Sequence, residues 1–228
     1  MPERTKRSVT DWVDARPPSW RAGVAEVVID PFDAYRQGAA EALPQVTLIV
    51  DKCHAVRLAN QALDAVRRRL RRKAGRRRSR QSRSVAPSRW GKALFSSRRI
   101  LVKARERLSQ SERERLERAL GADPTGELRA AWILKERFRG WYLAASPEQA
   151  RTGLHRWYRK IERSAIPEFT ELARTVKAWE PELLAHFGSG ATNAATEGIT
   201  NLIKVVKRQG FGYRNFDNFR LRVLYRCG

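Results

Sequence analysis

Two carboxylates, far apart in the chain, stand in settings that suit metal chemistry on nucleic acid. Asp30 ends the apolar run Val24-Ala-Glu-Val-Val-Ile-Asp30, and Glu197 opens the basic segment Thr196-Glu-Gly-Ile-Thr-Asn-Leu-Ile-Lys204. Brought together, they would offer oxygen donors to a divalent metal ion of the kind that assists cutting and joining of DNA. A third feature, Asp51-Lys-Cys-His54, sets an Asp and a His three apart just past a second apolar run. One such pair is too few ligands for a closed zinc site.

Each feature has a structural alternative. Asp is common after a strand, where it caps the next helix, and Pro31 and a helix follow Asp30. Asp33 is a competing carboxylate nearby. Glu197 in a first helical turn complements the helix dipole. Glu197, Asn201, Lys204 and Arg208 share one helical face, with Ile199, Leu202, Ile203 and Val206 opposite, packing on a core. The functional reading has Glu197 bind metal while Lys204, Lys207 and Arg208 hold phosphates. For Asp51, the local sequence favours a helix cap with His54 packed inside.

The elements that must position these residues begin with a short helix and Pro-Pro turn over 8–23, anchored by buried Trp12 and Trp20. Val24–Asp30 and Val46–Asp51 read as buried strands, with Pro31 in the first turn of the helix between them. Strand, helix, strand over so few residues predicts a parallel βαβ unit, with Asp30 and Asp51 at the strand ends where open α/β sheets place their sites. No further strand is expected after His54. A helix over 54–73 grades into an Arg-rich stretch, and 75–88 reads as a mobile linker. Further helices are expected over 98–120, 127–144, 147–164, 166–179 and 196–208, with a loop over 188–195. The tail from Phe211 to Arg226 mixes aromatics with arginines such as Arg214, where bases could stack. Equally, Phe216 and Phe219 read as core residues of a helix capped by Asn215.

The 228 residues carry a formal charge of +23, and seven Trp and eight Phe support a real core. A polyanionic partner follows from that balance. Residues 67–83 hold eleven Arg/Lys and no acid, and removing those charges still leaves about +12. Arg67, Arg68, Arg71 and Arg72 are candidates for non-specific phosphate contact. No stretch approaches the ~18 apolar residues of a membrane span, and no membrane partner is expected. Two cysteines make no disulfide framework, and the N-terminus has no secretory pattern, so the expected location is cytoplasmic, on the nucleoid.

Asp30-Pro-Phe-Asp-Ala-Tyr35, Leu43-Pro-Gln-Val and Ile49-Val-Asp-Lys-Cys-His-Ala-Val-Arg57 together resemble the middle of bacterial insertion-sequence transposases of the ISL-three type. Thr196-Glu-Gly-Ile-Thr-Asn-Leu-Ile-Lys-Val-Val-Lys-Arg208 and Gly212-Tyr-Arg-Asn-Phe-Asp-Asn-Phe-Arg220 are similar to their C-terminal signature. The resemblance implies an α/β, ribonuclease H-like fold with a large all-helical insertion and an Asp-Asp-Glu metal triad. It makes Asp30 the second carboxylate, Glu197 the third, and Asp51 and His54 the element beside them. It also implies two Mg²⁺ (or Mn²⁺) ions and DNA, both element ends and target, as substrate. A second copy or a full-length transposase is the expected protein partner.

The chain departs from that pattern in two ways. Thr200 stands where the family usually has Asn after Glu-Gly. The first Asp of the triad belongs on a strand well before the second, yet the 29 residues ahead of Asp30 read as helix and turn, and Asp11 and Asp14 lack a strand context. The expectation is therefore a C-terminal portion with an incomplete core. It comprises a partial core over 1–54, a helical insertion over 55–187 with an Arg-rich linker about 67–88, and a catalytic helix with basic tail over 188–228. Impaired strand transfer follows; the alternative is a non-enzymatic DNA-binding protein that modulates a full-length transposase.

Overall fold

Two β-branched runs and the helix between them form the one sheet seen in this computed structural model, which describes residues 4–81, 94, 96–189, 191 and 194–227. Strands β1 (Glu26–Ile29) and β2 (Thr47–Val50) pair in parallel, Glu26 opposite Thr47 and Ile29 opposite Val50. Ile29, Ile49 and Val50 are buried, as a strand with both faces covered requires. The parallel βαβ reading holds. Among the described residues the sheet has two strands.

The chain divides into two compact units, residues 1–190 and 191–228. In the first, α1 (Lys6–Asp14) and α2 (Pro18–Ala22) precede β1, and α3 (Asp33–Ala42) crosses from β1 to β2. α1 packs closely on α3 because Gly38 has no side chain; a Cβ there would sit 2.7 Å from Val9 Cβ. Trp12 and Trp20 are not buried anchors. They are 54% and 42% exposed and meet edge to face, while Val13 faces inward. Pro31 lies outside α3, which begins at Asp33.

The rest of this unit is helical. α4 (Lys52–Gln81) is followed by α5 (Arg98–Val102), a 3-10 turn (Arg105–Arg107), α6 (Gln110–Gly121) and α7 (Glu127–Trp141). Then come α8 (Pro147–Ser164), α9 (Pro167–Ala178) and α10 (Glu180–Ser189). The single helix expected over 98–120 is broken, because Ser109 and Glu112 form a capping box that starts a new helix. α4 runs past the point where a linker was expected to begin; the part of that expectation from residue 82 to 88 lies outside the described residues. Of the expected 188–195 loop, Gly188 and Ser189 finish α10 and Ala194 starts the next helix, while 190, 192 and 193 lie outside the described residues.

The core of this unit joins Leu63, Val66 and Leu70 of α4 to Leu128 and Phe138 of α7 and Phe169 of α9. α10 lies along β2, and Arg36 of α3 donates to the Ala178 carbonyl at 2.6 Å and stacks on Trp179. So the βαβ piece is fixed to the helices rather than tethered to them. The second unit is a hairpin of α11 (Ala194–Gln209) and α12 (Phe216–Cys227). Asn215 caps α12 by accepting from Asp217 N and Asn218 N, as the sequence predicts, but Phe216 is exposed rather than core. Among the described residues no helix is long and apolar enough to cross a membrane.

Candidate functional site

Parallel pairing puts the two strand ends side by side, and with them Asp30 and Asp51. Asp51 N donates to the Ile29 carbonyl at 3.0 Å, continuing the ladder one step beyond the strands. The chain then turns into α4, and Asp51 caps it: His54 N donates to Asp51 Oδ2 at 3.1 Å. This turn carries the His54 ring back over both strand ends. His54 Nδ1 lies 2.8 Å from Asp30 Oδ1 and 2.9 Å from Asp51 Oδ2. Asp30, Asp51 and His54 thus converge on one point.

The two carboxylates differ in environment. Asp51 is buried, while the Asp30 side chain keeps 39% of its surface. Asp30 does not cap α3, whose N-cap residue is Phe32 with no side-chain bond. The capping explanation for Asp30 is therefore removed. With Oδ1 on His54, a half-exposed carboxylate still presents a second oxygen at the C-terminal end of a parallel sheet. Hard oxygen donors of this kind suit Mg²⁺ or Mn²⁺.

Tyr142, just past α7, carries no signal in the sequence that sets it apart from other aromatics of this helix. Its ring is buried against Phe187 and His186, and Lys52 Nζ lies 5.4 Å from its centroid. Burial pushes its hydroxyl far above the usual range, and the charges of Asp51 and Cys53 add to that. The phenol stays neutral, and its oxygen has no hydrogen-bond partner among the described residues.

The basic candidates separate into two kinds. Arg67 is buried: Nε donates to Asp64 Oδ1 at 2.8 Å and Nη1 to the Leu94 carbonyl at 3.0 Å. Its guanidinium is engaged inside the protein, which corrects its expected place on a phosphate surface. Arg68, Arg71 and Arg72 line an open groove of about 640 Å³. In the second unit, Glu197 is exposed in the first turn of α11, Lys204, Lys207 and Arg208 are exposed further along it, and Arg214 is exposed in the turn before α12. The apolar face opposite is only partly covered: Val206 is buried, but Ile199 and Leu202 are exposed.

A sequence model of a family described as transposase, of the ISL-three type, matches residues 1–223. The chain belongs to that family. It is 26% identical over 223 residues to the transposase for insertion sequence element IS1001 of Bordetella parapertussis, covering 97% of this chain and 52% of that protein. It is 27% identical over 225 residues to the transposase for IS1557 of Mycobacterium tuberculosis, covering 94% and 50%. The chain thus spans about half the length of these curated relatives. No solved structure matches it.

Proposed function

We propose that this chain is the part of an Asp-Asp-Glu DNA transposase that carries the second and third metal-binding carboxylates, Asp30 and Glu197, on an incomplete ribonuclease H-like core. The observation that carries this reading is the convergence of Asp30, Asp51 and His54 past two parallel strand ends. Asp51, fixed as a helix cap, orients the His54 ring. His54 in turn holds one oxygen of Asp30 and leaves the other for a cation, the supporting arrangement that tunes metal ligands. Bound Mg²⁺ or Mn²⁺ would supply charge stabilisation and an activated oxygen nucleophile at the phosphorus. Lys204, Lys207, Arg208 and Arg214, with Arg68, Arg71 and Arg72, hold DNA phosphates, and the aromatic tail offers rings on which bases can stack. The proposed domain order is the partial core over 1–54, the helical insertion over 55–187 and the catalytic helix with its tail over 188–228. The substrates are the element's ends and target DNA on the nucleoid, and the protein partner is a second copy or a full-length transposase.

With two of three carboxylates assigned, residues 1–228 alone should nick DNA weakly and join ends poorly or not at all. The test is Mn²⁺-dependent nicking of supercoiled plasmid, together with Mn²⁺ binding followed by electron paramagnetic resonance. Both should be lost in Asp30→Asn and in Glu197→Gln. Metal-independent DNA binding with no nicking, unchanged in either variant, would instead identify a non-enzymatic DNA-binding protein.

A further inference from the structure

A second basic groove lies in the helical part of the first unit, away from residues 67–72 in the sequence. It has a volume of about 600 Å³ and is walled by the 3-10 turn, α6 and α7. Four arginines line it, Arg105, Arg113, Arg137 and Arg139, against two acids, Glu106 and Glu136. Both acids are already engaged. Arg139 grips Glu106 with two nitrogens, Nη1 to Oε1 at 2.7 Å, and also holds Glu136 Oε2 at 2.9 Å. The buried Lys135 ammonium pairs with the other oxygen of Glu136 and donates to the Lys103 carbonyl at 3.3 Å. Arg105, Arg113 and Arg137 are exposed and pair with no carboxylate among the described residues. Holding three such guanidiniums around one concavity costs mutual repulsion, which an anionic ligand offsets. Trp132 lines the same groove; it is buried, yet its indole N–H has no acceptor among the described residues. Ile133 presents an exposed apolar surface beside it.

We infer that this groove is a second phosphodiester-binding site, in which Arg105, Arg113 and Arg137 hold successive phosphates of a DNA strand. The inference rests on the transposase reading for the identity of the polyanion. Guanidiniums suit the site because they engage phosphate oxygens through paired donors. Glu106 and Glu136, tied down by Arg139 and Lys135, cannot neutralise the three free arginines without breaking existing pairs. Ile133 supplies an apolar contact for the sugar or base between the phosphates.

The test is the salt dependence of DNA binding by the full chain, on random duplex and on single-stranded oligonucleotides. The triple variant Arg105→Ala, Arg113→Ala, Arg137→Ala should lower the magnitude of the log–log slope by about 2–3 on the source that occupies the groove, since each phosphate on duplex contributes about 0.9 and on single strand about 0.7. Affinity near 0.1 M salt should fall about ten- to a hundred-fold on that source. The single variants Arg113→Ala and Arg137→Ala should each remove about one contact, which keeps the site testable if the triple variant does not fold. A charge-matched control on α8, Arg156→Ala, Arg159→Ala, Lys160→Ala, should change the slope by much less. An unchanged slope in the groove variants, with wild-type binding intact, overturns the groove and leaves the transposase reading standing. Equal losses in groove and control variants also overturn it, because net charge alone would then explain binding. A wild-type chain that binds neither DNA form removes both readings.

Discussion

Arg69 determines whether the basic run at residues 67–72 is one phosphate-binding surface or two sets of residues with different work. Its Nε donates to Glu168 Oε1 at 2.6 Å and its Nη2 to Glu168 Oε2 at 2.9 Å, while Nη1 donates to Glu127 Oε2 at 3.1 Å and Nη2 also grips Glu127 Oε1. Glu127 and Glu168 stand in the first turns of α7 and α9, so one side chain of α4 fastens two helix starts. Arg69→Met keeps the apolar stem and removes every one of these donors. Breaking a fully buried pair costs about 3–5 kcal/mol, and charged hydrogen bonds carry about 1.5–3 each. All three side chains retain some contact with water, and both acids are eased by the helix dipoles, so the loss should fall near 2–3 kcal/mol. For a unit of this size that lowers Tm by about 5–10 °C.

Circular dichroism melting at several pH values checks this. Burial pushes the Glu168 carboxyl up, but the Arg69 hydrogen bond, a backbone hydrogen bond and the charges of Arg69 and Lys73 together outweigh it, and the group is held below its ordinary value of 4.5. A carboxylate with a depressed folded pKa stabilises fully above its unfolded value and loses that contribution as pH falls through the lower one. The difference between wild type and variant should therefore be complete at pH 7 and shrink below about pH 4.5. The salt slope of DNA binding should stay unchanged in Arg69→Met, whereas Arg68→Ala with Arg72→Ala should lower it by about 1.8. A Tm within about 2 °C of wild type at pH 7, or a difference that persists unaltered at pH 3, refutes the clamp.

Three further outcomes are expected. His54→Ala should weaken Mn²⁺ binding about 10–100-fold by freeing Asp30 from its orienting partner, and an unchanged metal titration would detach His54 from the site. Gly38→Val should cost about 1–3 kcal/mol in urea denaturation, because its Cβ would approach Val9 Cβ at 2.7 Å and the Lys6 carbonyl at 2.9 Å, and an unshifted midpoint would mean that α1 is not docked on α3. Lys135→Met should be neutral or stabilising by about 1 kcal/mol at pH 7, since Glu136 keeps Arg139. Burial holds the Lys135 ammonium below its ordinary 10.5, so the variant's advantage should vanish in alkali as the lysine loses its proton, and a loss above about 2 kcal/mol at pH 7 rules this out.

The parts of the fold legible in the sequence were those with a clear period. Val-Val-Ile and Leu-Ile-Val, separated by one helix, admit little besides parallel strands. Ser146-Pro147 and Ile166-Pro167 mark helix starts that the structure reproduces closely. The failures have a common cause, the weight of residue type over direction. The sequence places Trp12 and Trp20 in the core, but α1 meets α3 through Val9, small enough to approach Gly38, and the buried residue of α1 is Val13. The arginine run was assigned to solvent by charge. Yet Leu70 keeps α4 in the core, and the same helical turn aims Arg67 at Asp64 and Arg69 at Glu127 and Glu168. Arg68 and Arg72, four apart, face outward. The acidic partners of Arg69, Glu127 and Glu168, lie on α7 and α9, far along the chain, where no local pattern could announce them.

The site itself was divided by a choice that the structure makes unnecessary. In the sequence, Asp51 was either a helix cap with His54 packed behind it or a companion of a metal carboxylate, and the cap was favoured. The geometry requires the cap for the companion to exist. Only because Asp51 Oδ2 fixes the first turn of α4, through His54 N at 3.1 Å, does the imidazole return over the strand ends to reach Asp30 at 2.8 Å. The fold-forming contact and the contact that orients Asp30 are made by the same carboxylate oxygen. Replacing Asp51 by Asn keeps a capping oxygen and removes the charge behind His54. Capping and proposed metal support therefore separate in Asp51→Asn: helix stability should be retained, with a loss of well under 1 kcal/mol, while Mn²⁺ binding falls as it does in His54→Ala. A variant that melts early and binds metal normally would return Asp51 to a purely structural role.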